Sequence, residues 1–270
     1  MHLSKALPLA AALTAHLMAQ SPAPAPPPAP PAAPAPPSIL GFALTGSSTI
    51  GSQYIFRGLT QTDGKPTIQG ELDLVHPSGF YLSTSLSNIT WISDQFPTGP
   101  VSAGVEVDVF GGYKWGFAKD WALDLGLYRY LYPGDYKSVP GYDANTTEAY
   151  LGLSYAWASL KYSRVLSDSN FGIAKASGSS YVDLSLTIPL GESGWSVLAH
   201  GGKTTFNTSS SATNDLLGYT DYKLGLSVAL KDWTLALVGT NADTKDAGYM
   251  NAMGRNIGKD RVTFTIGKAF

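Results

Sequence analysis

The segment that most constrains this chain is its last ten residues, 261–270, which alternate between two kinds of side chain. Val262, Phe264, Ile266 and Phe270 form an apolar set, and mainly small or polar residues occupy the positions between them. A period of two is typical of a β-strand with one apolar and one polar face. One such strand fits the edge of a soluble β-sandwich as well as the closing strand of a barrel, so the remaining sequence has to distinguish the two.

The low charge content favours a barrel in a membrane. Only 14% of the 270 residues are charged, against about a quarter in an average soluble protein. A soluble sandwich carries more charge on its outward faces, whereas a face that meets lipid needs little. The sequence has no apolar run of the roughly 18 residues that a membrane helix needs, but the strands of a membrane barrel are short and only half apolar.

The chain contains no cysteine. Disulfides, thiolate metal sites, a cysteine nucleophile and a lipoprotein anchor are therefore excluded. The net charge of −2 gives no reason to expect nucleic acid as a partner.

Two segments precede the region with strand patterns. Residues 1–19 have the features of a secretory signal peptide, with His2 and Lys5 near the start and a short apolar run before a candidate cleavage site. Residues 20–38 are almost entirely proline and alanine, which favours an extended polyproline II spacer in the periplasm. We expect this spacer to be an inert tether or, alternatively, to contact peptidoglycan. The barrel is predicted to occupy residues 39–270.

From residue 39 onward the sequence predicts an all-β fold, a transmembrane up-and-down antiparallel β-barrel of twelve strands. The predicted strands are 41–56, 66–75, 80–92, 101–114, 121–132, 146–156, 158–165, 180–188, 195–205, 219–229, 232–241 and 260–270. The connections alternate between short and long, as in outer-membrane barrels with short periplasmic turns and longer extracellular loops. An even number of strands places both ends of the barrel segment at the short-turn rim.

Proline and tryptophan positions agree with this pattern. Beyond the spacer, every proline lies at a proposed strand end or in a connection, as expected for a residue that cannot donate a ladder hydrogen bond. Most tryptophans border proposed short turns, as in the aromatic girdle of a membrane barrel. These are Trp115, Trp121, Trp157, Trp195 and Trp233.

The polar faces of the strands are predicted to line the lumen, because the apolar faces would meet lipid. The predicted pore-lining residues are Glu71, Asp73, Glu106, Asp108, Asp124, Glu148, Lys161, Asp183 and Lys223. Acidic residues predominate, which predicts one of two outcomes. Negative charge gives a mild preference for cations by raising their local concentration, or the charges pair across a narrow, closed barrel.

Several segments resemble the TorF family of proteobacterial porins. The longest is SQYIFRGLTQTDGKP at 52–66, and the likeness continues through 78–81, 106–113, 130–134, 148–152 and 263–270. The resemblance implies an outer-membrane β-barrel of a Gram-negative bacterium that acts as a porin, without implying a particular solute. The proline–alanine spacer is not part of the likeness. In outer-membrane barrels the aromatic closing strand is recognised during assembly, so Phe264, Ile266 and Phe270 are the predicted assembly signal.

Segment 57–65 is the first predicted surface loop, and Arg57 and Asp63 are its candidate functional residues. Arg57 is predicted to point inward at the pore mouth, and Asp63 with Gly64 is predicted to form a tight turn. Three roles are open for the two charged side chains: gating or ligand contact, mutual pairing that fixes the loop, or binding of lipopolysaccharide phosphates.

The predicted function is passive diffusion of small solutes or ions, and two alternatives stay open. One is a narrow structural or adhesin-like barrel without conductance, which inward loops that block the lumen would favour. The other is an outer-membrane hydrolase, since His76 and Ser78 lie close together, but no third member of a triad is evident. His200 is interpreted as a lumen or core histidine rather than a metal ligand.

No catalytic residue, metal or cofactor is predicted. The expected partners are outer-membrane lipid and lipopolysaccharide, the barrel-assembly machinery and small solutes, with peptidoglycan added if the spacer binds it.

Overall fold

The computed structural model describes residues 38–96, 101–136, 139 and 141–270. The predicted signal peptide, 1–19, and residues 20–37 of the predicted spacer lie outside the described residues. Within the described part, twelve long antiparallel strands form one closed sheet. These strands are Phe42–Gly51, Thr67–Val75, Phe80–Asn88, Val105–Ala118, Trp121–Leu131, Thr146–Tyr155, Ala158–Val165, Ser180–Pro189, Trp195–Thr205, Tyr219–Leu230, Trp233–Ala242 and Arg261–Ala269. The predicted twelve-strand barrel is confirmed.

The sheet closes because its first and last strands pair. Strand Arg261–Ala269 runs antiparallel to Phe42–Gly51, with Ile266 opposite Ile50. On its other side Phe42–Gly51 pairs with Thr67–Val75, and the remaining neighbours follow one another in sequence. Closure leaves no sheet edge with unpaired backbone groups, as a lipid environment requires. A two-residue strand, Ser38–Ile39, also pairs with the start of the first barrel strand.

The connections alternate in length as the sequence predicts. At one rim the strands are joined by tight turns, and Asp120, Ala156 and Lys231 adopt positive φ there. The opposite rim carries the longer connections 52–66, 89–104, 132–145, 166–179, 206–218 and 243–260. The helices described in these loops are Trp91–Gln95, Ser211–Leu217 and Asp246–Tyr249. None of the helices in the described residues has the length and apolar character needed to cross a membrane.

Three strand limits differ from the sequence prediction. The strand predicted over 41–56 ends at Gly51, because the chain then turns inward and Ile55–Phe56 pairs with Leu59–Thr60. The strand predicted over 80–92 ends at Asn88, before the first helix. The strand predicted over 101–114 runs over Val105–Ala118, since Ala103 packs in a buried cluster of loop residues. In such cases the alternation of apolar and polar residues continues beyond the last backbone-paired residue of the strand. Alternation reflects the character of the side chains and not the pairing of the backbone.

The apolar faces of the strands lie outside the barrel and the polar faces inside. On strand Ser180–Pro189, Val182 and Leu184 are 42% and 48% exposed, whereas Asp183 and Ser185 are buried. The closing strand shows the same arrangement, with Val262, Phe264, Ile266 and Phe270 exposed and Thr263 buried. The interior therefore consists largely of polar groups, the reverse of a soluble barrel with an apolar core.

Aromatic side chains mark the short-turn rim. Trp115, Trp121, Trp157, Trp195 and Trp233 are all exposed there. Neighbouring side chains stabilise the orientation of two of them: Trp121 packs against Tyr155 at 4.6 Å between ring centroids, and the Lys268 Nζ lies 5.3 Å from the Trp233 ring. Lys268 points toward this rim, where a lysine can reach polar headgroups while its stem stays in the apolar layer.

Candidate functional site: the barrel lumen

The nine residues predicted to line the pore all lie on the inner faces of their strands. Six of them are buried among interior groups, namely Glu71, Asp73, Glu106, Asp108, Glu148 and Asp183. Asp124, Lys161 and Lys223 are half-buried and lie nearer the short-turn rim. The nine side chains therefore lie on the inward face that period-two alternation assigns to them, and their role in lining a pore stays a prediction.

The first loop, residues 52–66, folds into the barrel instead of projecting from it. Gln53 donates from Nε2 to the Val262 carbonyl at 3.0 Å, which attaches the loop to the closing strand. Gly58 lies against the inner wall, where an added Cβ would stand 2.5 Å from the Cβ of Asp221. Its φ of +77° is also a conformation that residues with a side chain rarely adopt. Glycine is thus required at this position by both space and backbone geometry.

Arg57 extends from this loop across the lumen to Glu148. Its guanidinium donates two hydrogen bonds to the Glu148 carboxylate, at 2.9 and 2.7 Å, and both side chains are buried. Glu148 lies on strand Thr146–Tyr155, six strands away from the closing strand that holds Gln53. In a ring of twelve strands these two walls face each other. The loop is therefore anchored at opposite sides of the lumen.

Aromatic rings and charge both stabilise the Arg57 guanidinium. Its central carbon lies 4.3 Å from the Tyr181 ring centroid and 4.8 Å from that of Phe56. Burial is the largest single influence and lowers the pKa of Arg57, but the charge and hydrogen bonds of Glu148, together with Tyr130 and Tyr181, raise the pKa well above its usual value. Arg57 is therefore a permanent positive charge, and a bidentate carboxylate is the partner that its planar fork fits best.

Asp63 and Gly64 form the predicted tight turn, with φ values of 51° and 79° and a 3.0 Å hydrogen bond from the Lys65 amide to the Thr62 carbonyl. The Asp63 carboxylate pairs with Arg255 of the last long loop. Arg57 and Asp63 thus both hold the first loop by ion pairs, but with partners other than each other.

Four carboxylates, Glu71, Asp73, Glu106 and Asp108, form what we call the acidic wall, on strands Thr67–Val75 and Val105–Ala118. Among the described residues no lysine, arginine or histidine forms an ion pair with any of the four. Hydroxyl groups donate to most of them instead. No hydroxyl, amide or basic side chain among the described residues donates to either carboxylate oxygen of Glu71. Four carboxyl groups are therefore concentrated on one side of the lumen.

Tyrosine and serine hydroxyls stabilise the acidic wall. Glu106 accepts hydrogen bonds from Tyr54 at 2.7 Å and Tyr132 at 2.6 Å. Burial and, after it, the charge of Glu106 raise the pKa of both tyrosines well above the usual value, so both hydroxyls stay protonated and donate. Asp73 accepts from Ser83 at 2.6 Å, and Asp108 accepts from Ser85 at 3.0 Å. Tyr54 belongs to the first loop, which is thereby tied to the wall as well.

A second cluster, centred on His200, was not predicted. Its Nδ1 lies 2.9 Å from Asp183 Oδ2 and its Nε2 lies 2.8 Å from Asp221 Oδ1. Tyr181 donates to Asp221 at 3.0 Å, and Ser185 donates to Asp183 at 2.9 Å. Because a carboxylate occupies each ring nitrogen, the imidazole is a bridge between strands and not a free base. Among the described residues no group of histidine and acidic side chains is arranged to hold a metal ion.

The residues considered for a hydrolase do not form a triad. Ser78 Oγ lies 2.7 Å from His76 Nδ1 within an exposed turn at the short-turn rim. Across the described residues no carboxylate is hydrogen-bonded to His76, so the orienting third group is missing. The arrangement has the geometry of a local turn contact.

A family model described as a bacterial protein of unknown function, Gcw_chp, matches residues 35–270. A search of curated proteins finds no match to this sequence.

Solved structures with a similar fold include porins. The NanC porin is 12% identical, with 84% of this chain and 99% of that chain covered and a TM-score of 0.50. A KdgM porin in complex with disordered oligogalacturonate is 9% identical, with 84% and 98% covered and a TM-score of 0.46. Pseudomonas aeruginosa OprD is 9% identical, with 86% and 66% covered and a TM-score of 0.39. At 12% identity, the likeness to NanC is one of fold.

Proposed function

The chain belongs to the Gcw_chp family of bacterial proteins of unknown function, and we propose that it is a porin-like outer-membrane channel for passive diffusion of small solutes. The observation that carries this proposal is the orientation of the barrel faces. Large apolar side chains such as Leu125, Leu151 and Leu224 are more than half exposed outside, while charged side chains fill the interior. Lipid accepts such an exterior, and a polar interior favours water along the barrel axis.

The outer membrane of a Gram-negative bacterium is the location that we propose. A membrane strand needs about 9–11 residues, and most barrel strands here have 9 to 12. The predicted signal peptide would direct the chain to the periplasm, the spacer would lie there, and Phe264, Ile266 and Phe270 would be recognised by the barrel-assembly machinery. We also propose that the chain is a member of the TorF family of porins. The likeness of segment 52–66 and of the shorter segments after it supports this proposal.

The first loop narrows the proposed path. Arg57, Tyr54 and Gln53 attach it to three parts of the wall, through Glu148, Glu106 and the Val262 carbonyl. A barrel of about this strand number has a narrow lumen even without an inward loop. Permeating molecules would therefore be small, and they would pass between the loop and the wall.

The inward loop also favours a second candidate, a structural barrel that does not conduct. Buried anchors on facing strands are what a permanent closure would need, and the bidentate Arg57–Glu148 pair is such an anchor. The two candidates differ in whether the loop leaves a continuous aqueous path.

A mild preference for cations belongs to the channel proposal. The acidic wall has no ion-paired partner among the described residues, whereas Glu148, Asp183 and Asp221 are compensated by Arg57 and His200. Each of these carboxyl groups that is ionised adds an uncompensated negative charge, which raises the local concentration of cations in a low-dielectric tube.

Reconstitution into planar lipid bilayers tests the channel. Folded, purified protein is expected to give discrete conductance steps and, in a KCl gradient, a reversal potential of the sign for cation preference. Absence of steps from folded protein would refute the channel and leave the structural barrel. Steps with anion preference would refute only the proposed selectivity.

A further inference from the structure

The long loops enclose a cavity that the channel proposal does not require. Its volume is approximately 510 Å³, within the range of about 300–1,000 Å³ that is usual for small-molecule sites. Every one of the six long connections contributes to its lining, and Arg57 is among the lining residues. We call this cavity the vestibule.

Aromatic rings dominate the walls of the vestibule. Eight lining residues are aromatic, and Phe96, Tyr142, Phe171 and Phe206 among them are only half-buried. Phe96 and Tyr142 meet edge to face, with centroids 5.0 Å apart and an interplanar angle of 82°. A half-buried ring keeps part of its apolar surface in contact with water, so a ligand that covers that surface gains free energy.

The polar groups of the vestibule are mainly amides and carboxylates. Gln61, Gln95 and Asn251 can donate and accept hydrogen bonds, and Asp94 accepts them. Gln95 is exposed, and Asp94 is half-buried beside it on the helix Trp91–Gln95. These groups suit a ligand with many hydroxyl groups, each of which is both donor and acceptor.

Three charged side chains line the vestibule, and two of them are compensated. Arg57 is paired with Glu148, and Asp63 is paired with Arg255. An anion would have to compete with Glu148 for Arg57, whereas a neutral ligand would leave both pairs intact. Asp94 has no ion-pair partner among the described residues, so its carboxylate repels an anion and accepts hydrogen bonds from hydroxyl groups. Charge balance therefore favours a neutral ligand over an anion.

We propose that the vestibule binds a neutral sugar of one or two rings. A pyranose presents apolar C–H faces to aromatic rings and hydroxyl groups to amides and carboxylates at its edge, and the vestibule combines these two kinds of wall. A role of the vestibule in capturing solutes for transport rests on the channel function proposed above. Sugar binding does not rest on it, because binding and conductance are measured separately.

The test uses the full chain folded in detergent micelles, titrated with D-glucose and with maltose by calorimetry and by tryptophan fluorescence. Trp91 lines the vestibule, so its emission should change as sugar binds. Glucuronate and choline serve as charged comparison ligands. We expect saturable binding of at least one neutral sugar, and weaker binding of both charged compounds.

Variants locate the site. The double substitution Gln95→Ala/Phe96→Leu removes one amide and one ring face and is expected to weaken sugar binding by about tenfold. Asp215→Ala, at an exposed loop position outside the vestibule lining, should leave binding unchanged. Heat-modifiable migration on gels confirms that each variant is folded.

Three outcomes would overturn the proposal: no saturable binding of either sugar, binding of glucuronate or choline as tight as that of the sugars, or full affinity in the double variant. Saturable sugar binding by a protein that shows no conductance would support the vestibule and refute the channel. Conductance without sugar binding would do the opposite.

Discussion

Arg57 and Glu148 are 91 positions apart in the sequence, yet their side chains share two hydrogen bonds of 2.9 and 2.7 Å inside the barrel. The pair connects the first loop with the wall opposite the closing strand. Each charge is buried, so each depends on the other for stabilisation.

Arg57→Met is expected to release the loop. Glu148 would remain buried without its cation, and losses of about 3–5 kcal/mol are typical when one partner of a buried pair is removed. We expect a fall of that order in the free energy of unfolding, measured by urea titration in lipid vesicles, together with a larger single-channel conductance.

The double variant Arg57→Met/Glu148→Met is the control for this prediction. It leaves no isolated charge, so it should be less destabilised than the sum of the two single variants. Additive losses, or single variants with unchanged conductance, would show that the pair does not hold the loop.

Gly58→Ala is expected to displace the loop from the wall. The new Cβ would stand 2.5 Å from Asp221 Cβ at a residue with φ +77°. Gly64→Ala is a matched control, because Gly64 has φ +79° but its nearest neighbouring atom is 4.0 Å away. Both variants incur backbone strain of about 1–2 kcal/mol, and Gly58→Ala adds an overpacking cost of about 1–3 kcal/mol. Equal unfolding free energies for the two variants would contradict the close contact.

Neutralising the acidic wall is expected to reduce cation preference. The triple variant Glu71→Gln/Asp73→Asn/Asp108→Asn replaces three ionisable carboxyl groups with neutral amides of similar shape. The potassium-to-chloride permeability ratio from reversal potentials should fall by about twofold or more at low salt. Glu192→Gln, in an exposed short turn, is the control and should leave the ratio unchanged. An unchanged ratio in the triple variant would mean that ions do not pass along this wall.

Arginine scanning of strand Tyr219–Leu230 tests which face meets lipid. Leu224 is 66% exposed near the middle of the strand, and Thr220 lies on the same face near the long-loop rim. Leu224→Arg should cost about 2–4 kcal/mol of folding free energy in lipid vesicles, and Thr220→Arg about 0–1 kcal/mol. Similar costs at both depths would argue against a membrane at this face.

Phe270→Ala tests whether the terminal aromatic side chain acts in assembly in cells and not in the stability of the folded barrel. The ring covers Gly46, while the backbone of Phe270 forms two 2.9 Å hydrogen bonds with Gly46 that survive the substitution. We expect refolding into vesicles to change little and the yield in the outer membrane to fall severalfold. Val262→Ala, on the same outward face, provides the comparison. An equal fall in yield for both variants would exclude a specific role for the terminal aromatic residue.

The periodicity of the sequence was sufficient for the barrel and its two faces. Each strand repeats every two residues, and one face meets lipid while the other meets a polar interior, so residues such as Leu184 and Asp183 report their sides locally. Asp221 lies two positions before Lys223 on the same strand, so the alternation rule could have placed it on the inward face as well. The predicted strand ends were less accurate, because a residue such as Ala103 continues the apolar–polar alternation outside the paired strand.

The contacts inside the lumen depended on the tertiary structure. Nothing near Arg57 in sequence indicates Glu148, and nothing near His200 indicates a bridge between Asp183 and Asp221. The inward course of the first loop, allowed by Gly58, and the assembly of six loops around the vestibule also have no local pattern.

The sequence by itself thus determined a closed, twelve-strand barrel with an apolar exterior, because side-chain alternation and turn lengths are properties of short segments. Only the tertiary structure decided which charges meet, where the first loop lies and what space the loops enclose. Those features depend on the relative positions of strands far apart in the chain, which are set by barrel closure and not by any single strand.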